Sequence, residues 1–110
     1  MKEYNVEYTP AAKDDLKSIY SYIAFHLKER KTARNIVNKI RKQIRELDFS
    51  PERYASVDWE PWASMGMRKF PVGNYVVFYL VDNEKHIVTV NRIFYGGRNV
   101  QDIIRNDLEE

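Results

Sequence analysis

A chain of 110 residues carries 18 lysines and arginines against 16 aspartates and glutamates, a formal net charge of +2, and no cysteine. That length makes one domain and buries roughly two-thirds of the surface of the unfolded chain, so neither a disulfide framework nor a metal staple is required. No segment reaches the ~20 apolar residues of a membrane span and no apolar run follows the first lysine, so a soluble, cytoplasmic protein with no membrane association is expected.

The charge is unevenly spread. Between Lys28 and Glu46 eight cations stand against two anions, +6 locally, whereas Gln101 to Glu110 holds four anions and one cation. A basic face of this kind suits phosphates or an acidic protein segment, and it also describes an ordinary solvated helix surface.

Lys2 to Tyr8 alternates, with Tyr4, Val6 and Tyr8 on one side, which is the pattern of a short strand joining a sheet. Thr9-Pro10 then places a side-chain oxygen at a helix N-cap and a proline at the first helical position, where its missing N–H costs nothing. Ala12, Leu16, Ile19, Tyr20, Ile23 and Leu27 recur at spacings of three and four, predicting a helix of about five turns with Lys13, Asp14, Lys17 and Ser21 on its outer face. A break is expected from His26 to Lys31. Thr32 then caps a second helix, whose apolar stripe is Ala33, Ile36, Val37, Ile40, Ile44 and Leu47. That helix ends by Phe49, since Ser50 precedes Pro51 and the residue before proline avoids the helical region. Two amphipathic helices with a short polar connector form an antiparallel hairpin packed on a sheet. Pro51 to Trp62 has no period, and Tyr54, Trp59 and Trp62 are expected to pin it to the body.

Met67 to Asn99 concentrates the β-forming residues. Three runs rich in Val, Ile, Phe and Tyr are separated by Gly73-Asn74 and Asn83-Glu84-Lys85, both turn compositions, which predicts an antiparallel meander. In the middle run Tyr75, Val77, Tyr79 and Val81 face one way, yet Val76, Phe78 and Leu80 on the other side are apolar too. One helical layer covers one face, so a second element of the chain or a partner must close the other. Asn99 caps a short last helix containing Ile103, Ile104 and Leu108. The fold class is α+β, in the order β-α-α-β-β-β with a small terminal helix.

No metal or cofactor is expected. His26, near a helix end, and His86, at a strand start, stand apart from any carboxylate spacing that would complete a ligand set, and each reads as structural or solvated. Gly96-Gly97 lacks the lysine-hydroxyl pair of a phosphate loop, and no serine elbow is present. What remains is a set of cations and phenols on or near the sheet: Arg68, Lys69, Tyr79, Arg92, Tyr95 and Arg98. Arginines hold phosphates or stabilise their transition states and tyrosines stack on bases, but RNA cleavage would also need a proton acceptor and donor with strongly shifted pKa values. The same residues equally serve edge solvation and core packing.

The pieces YTPAAKDDLKSIYSYI, MRKFPVGNYVVFYLVD and VNRIFYGGRNV, in that order, resemble the toxins of bacterial type II toxin-antitoxin modules that include RelE and ParE, from about Glu3 to Ile104. The resemblance implies a two-helix hairpin on a small twisted antiparallel sheet. It also implies a cognate antitoxin whose partly disordered, often acidic segment folds onto the toxin, at Val76, Phe78 and Leu80 and at Arg34 and Arg41 of the basic second helix. RelE-like members cut messenger RNA on the ribosome; ParE-like members lack that residue set and poison DNA gyrase. Aligned on Gly73-Asn74-Tyr75, the nuclease branch's central-strand arginine falls on Val76. Lys69 matches one of that branch's lysines, Met67 replaces another, and Ile103 and Ile104 occupy the region of its catalytic tyrosine, with Tyr95 the nearby substitute. The strand wording sits closer to ParE. For a gyrase binder the resemblance implies a surface including Arg68, Lys69, Arg92 and Arg98. For a nuclease it implies Lys69, Arg68 and Arg98 on the phosphate and Tyr95 assisting proton transfer, and whether the chain is an enzyme turns on that choice. A family member that has lost toxicity and keeps only partner binding is the third reading.

Overall fold

The computed structural model describes residues 3–109, with side chains through residue 106. Strand β1 (Asn5–Tyr8) leads into helix α1 (Pro10–Ser21), which continues as a π-helical turn (Tyr22–His26), and α2 (Arg30–Arg45) runs into a 3-10 turn (Glu46–Asp48). A second 3-10 turn (Pro51–Arg53) and a one-turn helix α3 (Trp62–Met65) precede β2 (Arg68–Val72), β3 (Tyr75–Asp82), β4 (Ile87–Tyr95) and helix α4 (Val100–Glu109). The sheet order is β1-β4-β3-β2.

β2, β3 and β4 form the expected antiparallel meander. β1 joins it alongside β4 in parallel, so the sheet is mixed rather than wholly antiparallel. Alternation identifies a strand and its inward face but says nothing of the direction of its neighbour. Lys2 lies outside the described residues. Gly73 takes φ +58°, the conformation the two-residue β2–β3 turn needs, and Pro71 is tolerated because β2 is an edge strand. In the β3–β4 loop Asp82 accepts hydrogen bonds from the amides of Glu84 and Lys85, and His86 sits in the turn at φ +56° rather than in the strand.

Three local readings change. The last turn of the first helix widens, with the Leu27 N–H donating to the Tyr22 carbonyl at 3.0 Å, so Leu27 swings off the apolar stripe and is half exposed. Lys28 turns back at φ +58° and Glu29, not Thr32, stands at the N-cap of α2; the Thr32 hydroxyl donates to the Glu29 carboxylate from inside the first turn. The aperiodic segment after Pro51 is folded into two short helical turns, and Ala55 to Val57 runs along β2 through Val57 N–H to Met67 C=O at 2.8 Å and Lys69 N–H to Ala55 C=O at 3.2 Å.

Both faces of β3 are closed by the chain itself. On one side Val77 and Tyr79 pack with Ala12 and Leu16 of α1 and Ile40 and Ile44 of α2. On the other, Phe78 packs with Trp62, Met67, Phe94 and Ile104, so the loop before β2 and helix α4 supply the second cover. Tyr54 stacks on Phe70 and Trp59 on Trp62, as their pinning role requires. Asn99 caps α4 through the Asp102 amide; the side chain of Leu108 lies outside those described.

Candidate functional site

The site grows out of a mismatch in strand length. β1 pairs only with Ile87 to Val90, so β4 has a bare edge from Asn91 onward. At that point a bulge leaves Asn91 without a partner in β3, because Val90 pairs with Tyr79 and Arg92 with Phe78. The Thr9 hydroxyl serves two purposes here: it donates to the Asn91 carbonyl at 2.9 Å and accepts from the Ala12 amide at 3.0 Å as the cap of α1. The start of α1 is thereby fixed to the bulge.

Less than two turns along α1, Asp15 reaches the bare edge. Its carboxylate accepts the Ile93 amide at 2.9 Å and a fork from Arg92, Nε at 2.8 Å and Nη2 at 3.1 Å. The Arg92 guanidinium lies 4.4 Å from the centre of the buried Phe94 ring, and that of Arg98 lies 5.5 Å from the same ring. Arg92 is thus neutralised, while Arg98 is exposed and takes part in no salt bridge among the described residues.

Above this edge the tip of the helical hairpin, the start of β3 and the end of β4 border a groove of about 780 Å³. Tyr22, Tyr75 and Tyr95 line it, with Ile19, Ile36 and Leu27 as apolar wall and Arg98 on its border. Tyr75 and Tyr95 meet edge to face at 5.7 Å. Burial raises the Tyr75 phenol pKa, and the neighbouring Tyr95 and Tyr22 add to it, so Tyr75 holds its proton. At the rim Tyr22 stacks on His26 at 4.9 Å, an arrangement the π turn creates. Aromatic rings beside an exposed guanidinium bind planar or apolar groups and anions.

Of the residues singled out from sequence, Arg92, Tyr95 and Arg98 come together here. Arg68 stands apart: it donates to the carbonyls of Glu52 and Tyr54 at 3.1 and 2.6 Å and pairs with the Glu52 carboxylate at 3.5 Å, holding the loop before β2. Lys69 is exposed on β2, with Phe78 of β3 between it and Arg92. Tyr79 is fully buried and donates to the Pro51 carbonyl at 2.5 Å, with its phenol pushed up to about 12 by burial. Val76 and Leu80 are half buried and Phe78 is buried; Arg34 and Arg41 are exposed on α2. Sequence reading missed Asp15, Tyr22 and Tyr75. The available signal was Asp15 itself, a carboxylate on the border of the Ala12, Leu16, Ile19 stripe, where a charge must find a partner. Among the described residues no cluster of His, Asp or Glu is arranged to hold a metal ion, and no helix is long and apolar enough to cross a membrane.

A family model described as the ParE toxin of the type II toxin-antitoxin system parDE matches residues 6–100. The chain belongs to this family. It is a toxin of a type II toxin-antitoxin system, and the match runs from β1 to the first residue of α4. Among solved structures, this ParE-family chain is similar to the chromosomal ParDE system from P. aeruginosa, at 21% identity and TM-score 0.69 over 84% of this chain and 96% of that one. It is similar to the toxin-antitoxin complex RelBE2 from Mycobacterium tuberculosis, at 20% identity and TM-score 0.65 over 84% and 98%. The archaeal RelE-RelB complex from Pyrococcus horikoshii OT3 follows at 15% identity and TM-score 0.60 over 87% and 98%. No curated protein matches the sequence. The α+β fold with a helical hairpin on the sheet and a short last helix is that of the RelE and ParE toxins.

Proposed function

We propose that this ParE-family toxin acts by binding DNA gyrase and is kept silent by a cognate antitoxin. The observation that supports this is the dispersal of the cations a nuclease would need. Arg92 is neutralised by Asp15, Arg68 is tied to loop carbonyls, Lys69 stands beyond Phe78, and Val76 occupies the position of the central-strand arginine. A phosphate transition state demands positioned, uncommitted cations. What the groove offers instead is a recognition surface of tyrosines with Arg98, the residue types that anchor protein interfaces.

The antitoxin's acidic segment meets the basic face of α2 at Arg34 and Arg41 and, on the sheet face that carries Phe78, Val76 and Leu80. Phe78 contributes only where α4 yields its place, since Ile104 covers it in this structure.

The test is supercoiling by purified gyrase with the toxin added. Inhibition is expected, weakened more than about tenfold by Arg98→Ala or Tyr95→Ala, the loss typical of an interface anchor. Undiminished supercoiling together with cleavage of ribosome-bound messenger RNA would overturn the reading in favour of the RelE-like activity.

A further inference from the structure

The other flank of α1 borders a second cleft, of about 550 Å³, between the two helices and over the end of β1. Lys13, Lys17 and Ser21, four residues apart, stack along the α1 wall; Val37 and Arg41 stand likewise on the α2 wall, with Arg45 one turn further on. Buried Leu16 and the half-buried Tyr8 and Tyr20 form an apolar, aromatic floor. No carboxylate lines the cleft, and among the described residues none of the four cations is in a salt bridge. Arg41 and Arg45 lie near the Tyr8 phenol, and burial raises the pKa of that phenol more than the two cations lower it, so it stays neutral and offsets none of the charge.

Lys13 and Lys17 on one wall face Arg41 on the other across an apolar floor, with Arg45 just beyond the lining, and like charges so placed repel one another until an anion enters. The walls extend for only two helical turns, and the volume is that of a small-molecule site, about 300 to 1,000 Å³. The lining of the cleft itself holds Lys13, Lys17 and Arg41 beside the Tyr20 ring, and a compact ligand with several charges and one planar ring fills it. We propose that this cleft binds a nucleoside polyphosphate, its phosphates between Lys13 and Lys17 on one side and Arg41 and Arg45 on the other, its base on the Tyr20 ring. The site is that of the toxin free of its antitoxin, since the proposed antitoxin contact also uses Arg41, and it does not depend on which target the toxin strikes.

Calorimetric titration of the purified chain with ATP and with GTP, beside inorganic tripolyphosphate and a short single-stranded DNA, tests this. Saturable one-to-one binding of at least one nucleotide is expected. It should weaken at least about tenfold, roughly 1.4 kcal/mol, in Lys17→Ala and in Arg41→Ala, and stay unchanged in Lys85→Ala on the exposed β3–β4 turn. Tyr20→Ala should weaken the nucleotide and leave tripolyphosphate alone. Circular dichroism confirms that each variant is folded. No saturable binding up to about 1 mM, tripolyphosphate bound as tightly as the nucleotides, DNA bound more tightly than either, or folded Lys17 and Arg41 variants that bind as well as the parent would each overturn the proposal.

Discussion

Replacing Asp15 by alanine tests the edge on which the groove is built. The side chains of Asp15 and Arg92 are 14% and 22% exposed, and the substitution removes three hydrogen bonds: two from a guanidinium and one from the Ile93 amide. Stripping the partner from a buried charge costs about 3–5 kcal/mol. Here Arg92 is partly exposed and keeps contacts besides Asp15, the Phe94 ring among them, which puts the expected loss near 3 kcal/mol, a large part of the total stability of a small domain. With a urea m-value of about 2 kcal/mol/M, the unfolding midpoint should fall by about 1.5 M. Asp15→Asn retains an acceptor for Ile93 and should lose about half as much. In an Arg92→Met background the Asp15→Ala change should cost less by about 1–2 kcal/mol, since the guanidinium that Asp15 holds is already gone. A loss below about 1 kcal/mol for Asp15→Ala would place the pair among solvent-screened surface bridges and refute the reasoning.

Other outcomes follow from single contacts. Tyr79→Phe leaves the Pro51 carbonyl without its donor and should cost about 1–3 kcal/mol in urea unfolding at neutral pH. The same phenol gives a pH dependence. Its pKa rises from the ordinary value near 10 to about 12 in the folded chain, so the unfolded chain loses the proton first. The associated stability is fully present below pH ~10 and falls as pH climbs towards 12, by up to about 1.4 kcal/mol per unit, a slope that Tyr79→Phe should remove. Ile104→Ala should cost about 2–4 kcal/mol and increase binding of a hydrophobic dye, because Phe78 and Phe94 lose their cover. Gly96→Ala puts a Cβ 3.1 Å from the Asn74 carbonyl oxygen, a backbone atom that already accepts the Gly96 amide, and should cost about 1–3 kcal/mol by thermal unfolding.

Much of the architecture is legible because the burial pattern is. Thr9-Pro10, the stripes of the two helices and Gly73-Asn74 each have one local physical meaning, and each element forms where they say. The apolar double face of β3 announced two covers, and both exist. What escaped reading depends on contacts distant in sequence. The parallel seat of β1 follows from which edge of β4 is left open, and the π turn that exposes Leu27 and stacks Tyr22 on His26 has no hydrophobic period of its own. The site was half legible for the same reason. Arg92, Tyr95 and Arg98 are neighbours along one strand and its exit, whereas Tyr75 joins them through the β3–β4 register and Asp15 and Tyr22 only after α1 is laid across the bulge. Arg68 and Lys69 were grouped with them by residue type, and sheet register separates them.

The parallel pairing of β1 with β4 also sets when this toxin can exist. Asn5 pairs with Ile87 and Tyr8 with Val90, so nearly the whole polypeptide lies between the first strand and its partner. Closing so long a loop is slow, and it cannot begin before the last strand has left the ribosome. A nascent chain therefore carries β1, and the α1 anchor at Asn91, unattached until β4 has emerged. The groove between α1 and β4 is assembled only after that point, which leaves a partner made beforehand time to be waiting.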